Sequence, residues 1–241
     1  MAINHYLEDE RINIARGVTV KTSSIHKFGA VPAMSQSKTG TIWDVNDTKY
    51  PWHVWDSSPG PVQVLAADAA DSGKSITIEG LDSNYEAVSD TITFTSLADT
   101  STTESYRRVF RAYLTNGSAD NEDVINIKKD GVVVARINAD NSQTLMTVYT
   151  VPAGKTGYLM KGSATAQASA DGNGRMMIRY YGNDAFRVGH SFEVAGAGGQ
   201  YTYDFAVPIQ IPEKSDIDVR LTTRTNNGRF TSAFDMILID D

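Results

Sequence analysis

Residues 201–211 read YTYDFAVPIQI. Tyr201, Tyr203, Phe205, Val207, Ile209 and Ile211 stand two apart, so in an extended chain all six share one face. The period continues on both sides. Phe186, Val188, His190, Phe192 and Val194 form a second stripe. Ile217, Val219 and Leu221 form a third, with Asp216, Asp218 and Arg220 on the opposite face, which reads as the solvated side of a strand. Residues 230–239 are apolar on both faces near their end, the pattern of a central strand. Turn chemistry separates these runs. Asp130-Gly131 tolerates the positive φ of a type I′ hairpin turn, and 182–184 and 226–228 carry similar signals. Short strands with turns this frequent predict an all-β fold, built as an antiparallel β-sandwich or jelly-roll-like units.

The strand pattern starts near residue 61. A polar cluster at 138–141 divides it, so 61–140 reads as a first β unit and 141–241 as a second. Residues 1–60 read as an irregular N-terminal arm. Within them Asn4 could cap a helix over 5–15 with Gly17 as its stop, or the stretch could be extended, because Tyr6, Leu7, Ile12 and Ile14 form no clean stripe. Residues 18–60 are rich in Ser, Thr, Lys and Pro and hold all three tryptophans.

Composition narrows the chemistry. The 241 residues include no cysteine, which removes disulfides, thiolate metal sites and cysteine nucleophiles. A net charge of −7 argues against a nucleic-acid partner, which needs clustered Lys and Arg. No apolar run approaches the ~20 residues of a membrane helix, so no membrane is expected. The first 17 residues lack the apolar core of a signal peptide, so the expectation is a protein made in a cytoplasm and either kept there or released by lysis.

Two segments imitate a phosphate-binding loop. Gly73-Lys74-Ser75 and Gly154-Lys155-Thr156 have the right last three residues. The glycine required five positions earlier is Asp68 in one and Tyr149 in the other, and each segment runs into strand pattern where a helix is needed, so both read as turns. His5, His26, His53 and His190 are scattered without metal-ligand spacing. The run from Asp82 to Glu86 begins like a calcium loop, but Ala87 stands where its glycine belongs, leaving a hairpin turn. No serine sits in a G-x-S-x-G elbow, and acid pairs such as Asp216 and Asp218 are expected by chance among 29 carboxylates. The expectation is a non-enzyme without cofactor or metal.

The most informative stretch is 41–55, TIWDVNDTKYPWHVW. Trp43, Tyr50, Trp52 and Trp55 lie there without periodicity. Such rings serve as anchors of a protein interface, as a platform for sugar with Asp44, Asn46 and Asp47 beside it, or as pins holding a loop to its own core. The expectation for these four residues is a partner interface.

The chain resembles structural virion proteins of tailed bacteriophages, in particular those of marine and cyanobacterial hosts. The resemblance lies in HKFGAVPAMSQSKTGTIWDVND (26–47), SGKSITIEGLDSNYEAVSDTITF (72–94), YRRVFRAYLTNGS (106–118), QTLMTVYTVPAGKTGYL (143–159) and VPIQIPEKSDIDVRLTTRTNN (207–227). It implies a particle component with no catalytic residues to carry over. An accessory capsid protein of the cement or decoration type is the expectation, located in the virion, contacting the major capsid protein or other virion proteins, and forming a homo-oligomer. A tail, baseplate or neck component and a carbohydrate-binding receptor module are the alternatives.

Overall fold

The computed structural model describes residues 10–95, 97–115, 120–167, 169–196 and 198–241. Strand makes up 55 % of the chain and helix 6 %, with antiparallel pairing throughout, as the sequence periodicity predicts. A short helix α1 (Glu10–Ala15) leads into β1 (Thr22–Met34) and β2 (Thr39–Thr41). Then come β3 (Gln63–Ala66), β4 (Ser75–Leu81), β5 (Ala87–Thr93), β6 (Thr100–Ser101), β7 (Arg108–Leu114), β8 (Ile125–Lys129) and β9 (Val132–Ile137). The last group is β10 (Val148–Thr150), β11 (Lys155–Ala166), β12 (Gly172–Arg179), β13 (Arg187–Val194), β14 (Gln200–Ile211), β15 (Asp216–Thr223) and β16 (Gly228–Asp240). The proposed cap Asn4, with His5, Tyr6 and Leu7, lies outside the described residues.

Four sheets form two sandwiches. In the first, a sheet of order β1-β16-β11-β14 faces a sheet of order β10-β15-β12-β13, with β2 also paired to β15. Leu159, Phe230, Phe234 and Met236 from one sheet meet Met176, Ile178, Val219 and Leu221 from the other in a shared core. In the second, the sheets β6-β3-β8-β9 and β5-β4-β7 enclose Val64, Ile76, Ile78, Ile125, Ile127 and Ile137. The second sandwich is an insertion into the first. Ile42 N–H donates to Val219 O (2.8 Å) as the chain leaves, and Thr147 N–H donates to Ile42 O (3.1 Å) as it returns.

Residues 18–60 do not form the irregular cover expected of them. They supply β1, whose 13 residues pair with β16 from Thr22↔Ile239 to Val31↔Phe230, and β2, which pairs with Arg220, Leu221 and Thr222. The strand was hidden because Ser, Gly and Pro interrupt its pattern. It needs little intrinsic propensity, since a central strand templates it: β16 lies between β1 and β11. The two-residue β8–β9 turn has Asp130 at φ 50° and Gly131 at φ 78°, the left-handed pair that the Asp-Gly signal implied.

One glycine on β1 sets the fit between the sandwiches. A Cβ on Gly29 would lie 2.5 Å from Ile42 O and 2.8 Å from Thr147 N, both backbone atoms at the crossover just described. Neither can move without shifting the junction. Gly29→Ala is expected to cost about 1–3 kcal/mol through overpacking. A urea midpoint equal to wild type would show that the crossover yields.

Candidate functional site

Strand β15 is buried on both faces, and that fact defines the seam between the sandwiches. Ile217, Val219 and Leu221 enter the first core. Asp216 and Asp218, expected in solvent, are instead buried toward the second sandwich. The correction has a plain physical cause: each carboxylate is met by donors that offset its desolvation. Asp216 accepts from Arg108 Nε (2.9 Å) and Nη2 (3.1 Å), from Arg179 Nε (2.9 Å) and Nη2 (2.7 Å), and from Thr150 Oγ1 (2.6 Å). Asp218 accepts from Thr41 Oγ1 (2.8 Å), Trp52 Nε1 (2.9 Å) and Arg220 Nε (2.7 Å). Burial works against the charge of Arg108, but the Asp216 carboxylate outweighs it and holds the guanidinium above its ordinary pKa. Arg108 lies on β7 and Asp216 on β15, so the pair joins the two sandwiches directly.

The aromatic stretch closes the same seam. Trp43, Tyr50, Trp52 and Trp55 are only 2–6 % exposed, so they offer no surface to a partner in this conformation; they pin their own chain to the second core. Pro51 leads into a 3₁₀ turn (Trp52–Trp55) that carries two of the rings. Trp55 Nε1 donates to Tyr50 Oη (2.9 Å), which donates to Val109 O (3.3 Å); Trp43 Nε1 donates to Thr48 O (3.1 Å). The Tyr50 ring meets Trp43 and Trp52 edge-on at 5.3 and 4.7 Å. Arg108 and Arg179 lie 5.5 Å from the Trp52 ring, and Arg179 and Arg220 lie 5.0 and 4.5 Å from Phe186. Cations, rings and carboxylates thus form one layered cluster.

Chemically the cluster is a fastener. Its carboxylates are engaged by several donors each, which leaves them poor general bases. At its open end a cleft of about 210 Å³ is lined by Tyr85, Tyr181, Asn183, Asp184 and Lys214. A wider groove of about 740 Å³ crosses the outer face of the β1-β16-β11-β14 sheet beside α1, lined by Ile14, His26, Met160, Phe205 and Asp235. Among the described residues no group of three His, Asp or Glu could hold a metal ion, and no helix is long and apolar enough to cross a membrane. Asp82 Oδ1 accepts from Asn84 N and Glu86 N, a capped turn with no ligand geometry.

Both phosphate-loop lookalikes are turns. Gly154 takes φ +67° between β10 and β11, and Lys155 pairs with Asp240. Lys74 is more than an ordinary surface lysine. Its Nζ lies 2.7 Å from Oδ1 of the fully buried Asp71, which also accepts from Glu122 N and Asp123 N.

Sequence reasoning missed Arg108, Arg179 and Arg220. The available signal was their position inside strands: Arg108 follows Tyr106-Arg107 and precedes Val109-Phe110, where an exposed charge would break the apolar run.

No protein-family model matches the chain, and no curated protein sequence matches it. Among solved structures it is similar to a chain of the cowpea mosaic virus top component, a naturally occurring empty particle, at 10 % identity and TM-score 0.23, over 76 % of this chain and 82 % of that one. It is similar also to a chain of infectious bursal disease virus, Gx strain, at 13 % identity and TM-score 0.24, over 91 % and 71 %. A tryptic core of Cry1Da from Bacillus thuringiensis follows at 8 % identity and TM-score 0.19, over 86 % and 58 %. Likenesses this slight carry no argument about fold or function.

Proposed function

We propose that this chain is a structural component of a phage particle, an accessory capsid protein of the cement or decoration type that stabilises the head through contacts with the major capsid protein. The observation that carries the reading is the seam. Two antiparallel sandwiches are locked into one block by a buried Arg–Asp cluster, while their sheets keep open edges. A clamp on a shell needs that combination of internal rigidity and edges available to neighbours. The resemblance of five sequence blocks to phage virion proteins points the same way. The tryptophans belong to the internal fastener, so the contacts with the shell fall to other surfaces.

Binding to the shell is a linked equilibrium that favours the assembled head as free protein rises above its dissociation constant. Purified virions are expected to contain the chain in a copy number comparable to the major capsid protein. Heads assembled without it are expected to release DNA at lower temperature, and added protein is expected to restore the release temperature. Heads that are equally stable without it, from particles that fail to adsorb to the host, would assign it to the tail or to receptor binding.

A further inference from the structure

Strand β14 is the outer strand of its sheet, and its first half has the sequence of a self-pairing edge. Along 200–204 it pairs with β11 on one side, from Gln200↔Thr165 to Asp204↔Lys161. Among the described residues its other side has no strand partner. Beyond Asp204 the ladder breaks: residues 205–208 stand opposite Met160 alone before pairing resumes at Ile209↔Leu159. That bulge pushes Val207 out to 82 % exposure and includes Pro208, which has no N–H to donate. Any added strand is therefore confined to the five residues QYTYD.

Natural proteins blunt such edges with charge, proline, bulges or cover. Neighbouring edges here follow that rule. At the edge strand β5, Asp90 accepts from Thr103 N and Glu104 N, so a loop lies over it. At the edge strand β13, Arg187 and Glu193 are exposed. At β14 the single charge is Asp204, 3.6 Å from Lys161 Nζ.

We infer that the 200–204 edge of β14 is a homodimer interface, formed by antiparallel pairing with a second copy across a two-fold axis at Thr202. The register argues for a copy of the same chain. A two-fold at Thr202 places Thr202 against Thr202, Tyr201 against Tyr203 and Gln200 against Asp204. Hydroxyl pairs and aromatic pairs are favoured cross-strand neighbours, and Gln facing Asp can donate to the carboxylate. No like charges meet. The side chains are already arranged for it. Tyr201 and Tyr203 are parallel within 1° at 6.5 Å, and both lie against His190, at 5.9 and 5.0 Å. Tyr203 is 45 % exposed in the single chain, and the second copy's Tyr201 would cover it. The contact is isologous and closes as a dimer without leaving a new edge. This inference goes beyond the capsid reading and holds or fails in the absence of any particle.

The test places charge on the axis. Sedimentation of the full chain across a concentration series is expected to show a monomer–dimer equilibrium. Thr202→Lys and Thr202→Asp each set like charges against themselves, and each is expected to raise the dimer dissociation constant at least about tenfold. An equimolar mixture of the two variants is expected to recover dimer, since the opposed charges then attract. Thr202 is exposed, so both variants should melt with wild type, and circular dichroism checks this. A wild-type monomer at every concentration overturns the inference. So does a dimer indifferent to charge at 202, or a mixture no tighter than either variant alone.

Discussion

Asp216→Asn is expected to destabilise the protein by about 3–5 kcal/mol, because it leaves Arg108 and Arg179 buried beside an amide that cannot balance them. For a chain of this length that corresponds to a fall in melting temperature of roughly 10 °C. The pattern of unfolding should change as well. All three tryptophans lie in the second core, so their fluorescence reports the inserted sandwich, while far-ultraviolet circular dichroism reports both. The two signals are expected to coincide in wild type and to separate in the variant, because Asp216 is the acceptor that ties β7 to β15. Replacing Asp216 and both arginines together by apolar residues of similar volume should recover much of the loss, since the large penalty belongs to the unpaired charges. A loss below about 1 kcal/mol with coincident transitions would mean that apolar contacts alone hold the seam.

The same residues show what a sequence can and cannot disclose. Strand β16 was legible because its end, Met236-Ile237-Leu238-Ile239, carries apolar residues toward both faces, the pattern of a strand with neighbours on either side. The β8–β9 hairpin was legible because Asp130 and Gly131 encode their own backbone angles. Strand β15 was legible as a strand, but its acidic face was misread. Alternation reveals that two faces differ; it does not reveal that the polar face is covered by arginines 37 and 108 positions away. Strand β1 was lost for the complementary reason. Its pairing energy comes from a partner more than 190 residues downstream, and a window of neighbouring residues contains no trace of that partner. Strand β14 offered the cleanest stripe in the sequence, yet Val207 stands out in solvent and Tyr203, which lies against His190 of the facing sheet, stays 45 % exposed at the sheet's edge. Periodicity fixes which side chains share a face, and only the arrangement of sheets decides whether that face is covered.

Stability is expected to pass through a shallow minimum near pH 7, set by two buried groups beside the crossover. Burial pushes the Asp44 carboxyl up to about 7, against smaller opposing effects from the Leu145 N–H and from Arg136. One of its oxygens, Oδ2, accepts from Leu145 N (3.2 Å), and Oδ1 has no hydrogen-bond partner. Burial likewise pushes the Lys27 ammonium down to about 7, helped by repulsion from Arg111 and opposed by Glu79. Lys27 lies on β1 and donates to Phe110 O on β7, so it too spans the seam. Asp44 is expected to titrate near its ordinary 3.8 when unfolded, so between about pH 4 and 7 the folded state holds the extra proton, and stability falls as pH rises. Lys27 is expected to titrate near 10.5 when unfolded, so between about pH 7 and 10.5 the unfolded state holds the extra proton, and stability rises with pH. Each limb should amount to on the order of 2–4 kcal/mol. Other groups act elsewhere or are removed by comparison. Burial would raise the Asp71 and Asp90 carboxyls, but hydrogen bonds from Lys74 and Thr103 outweigh it, so their contributions disappear only below about pH 4. Burial lowers the pKa of His190, which opposes Asp44 on the acid limb, and subtracting a variant's curve from the wild-type curve cancels that contribution. Asp44→Asn is expected to abolish the decline between pH 4 and 7 and leave the alkaline limb intact; Lys27→Met is expected to do the reverse. Urea denaturation at half-unit pH intervals measures both. If neither difference curve slopes, both groups keep their ordinary titration in the folded chain, and the seam admits water to them.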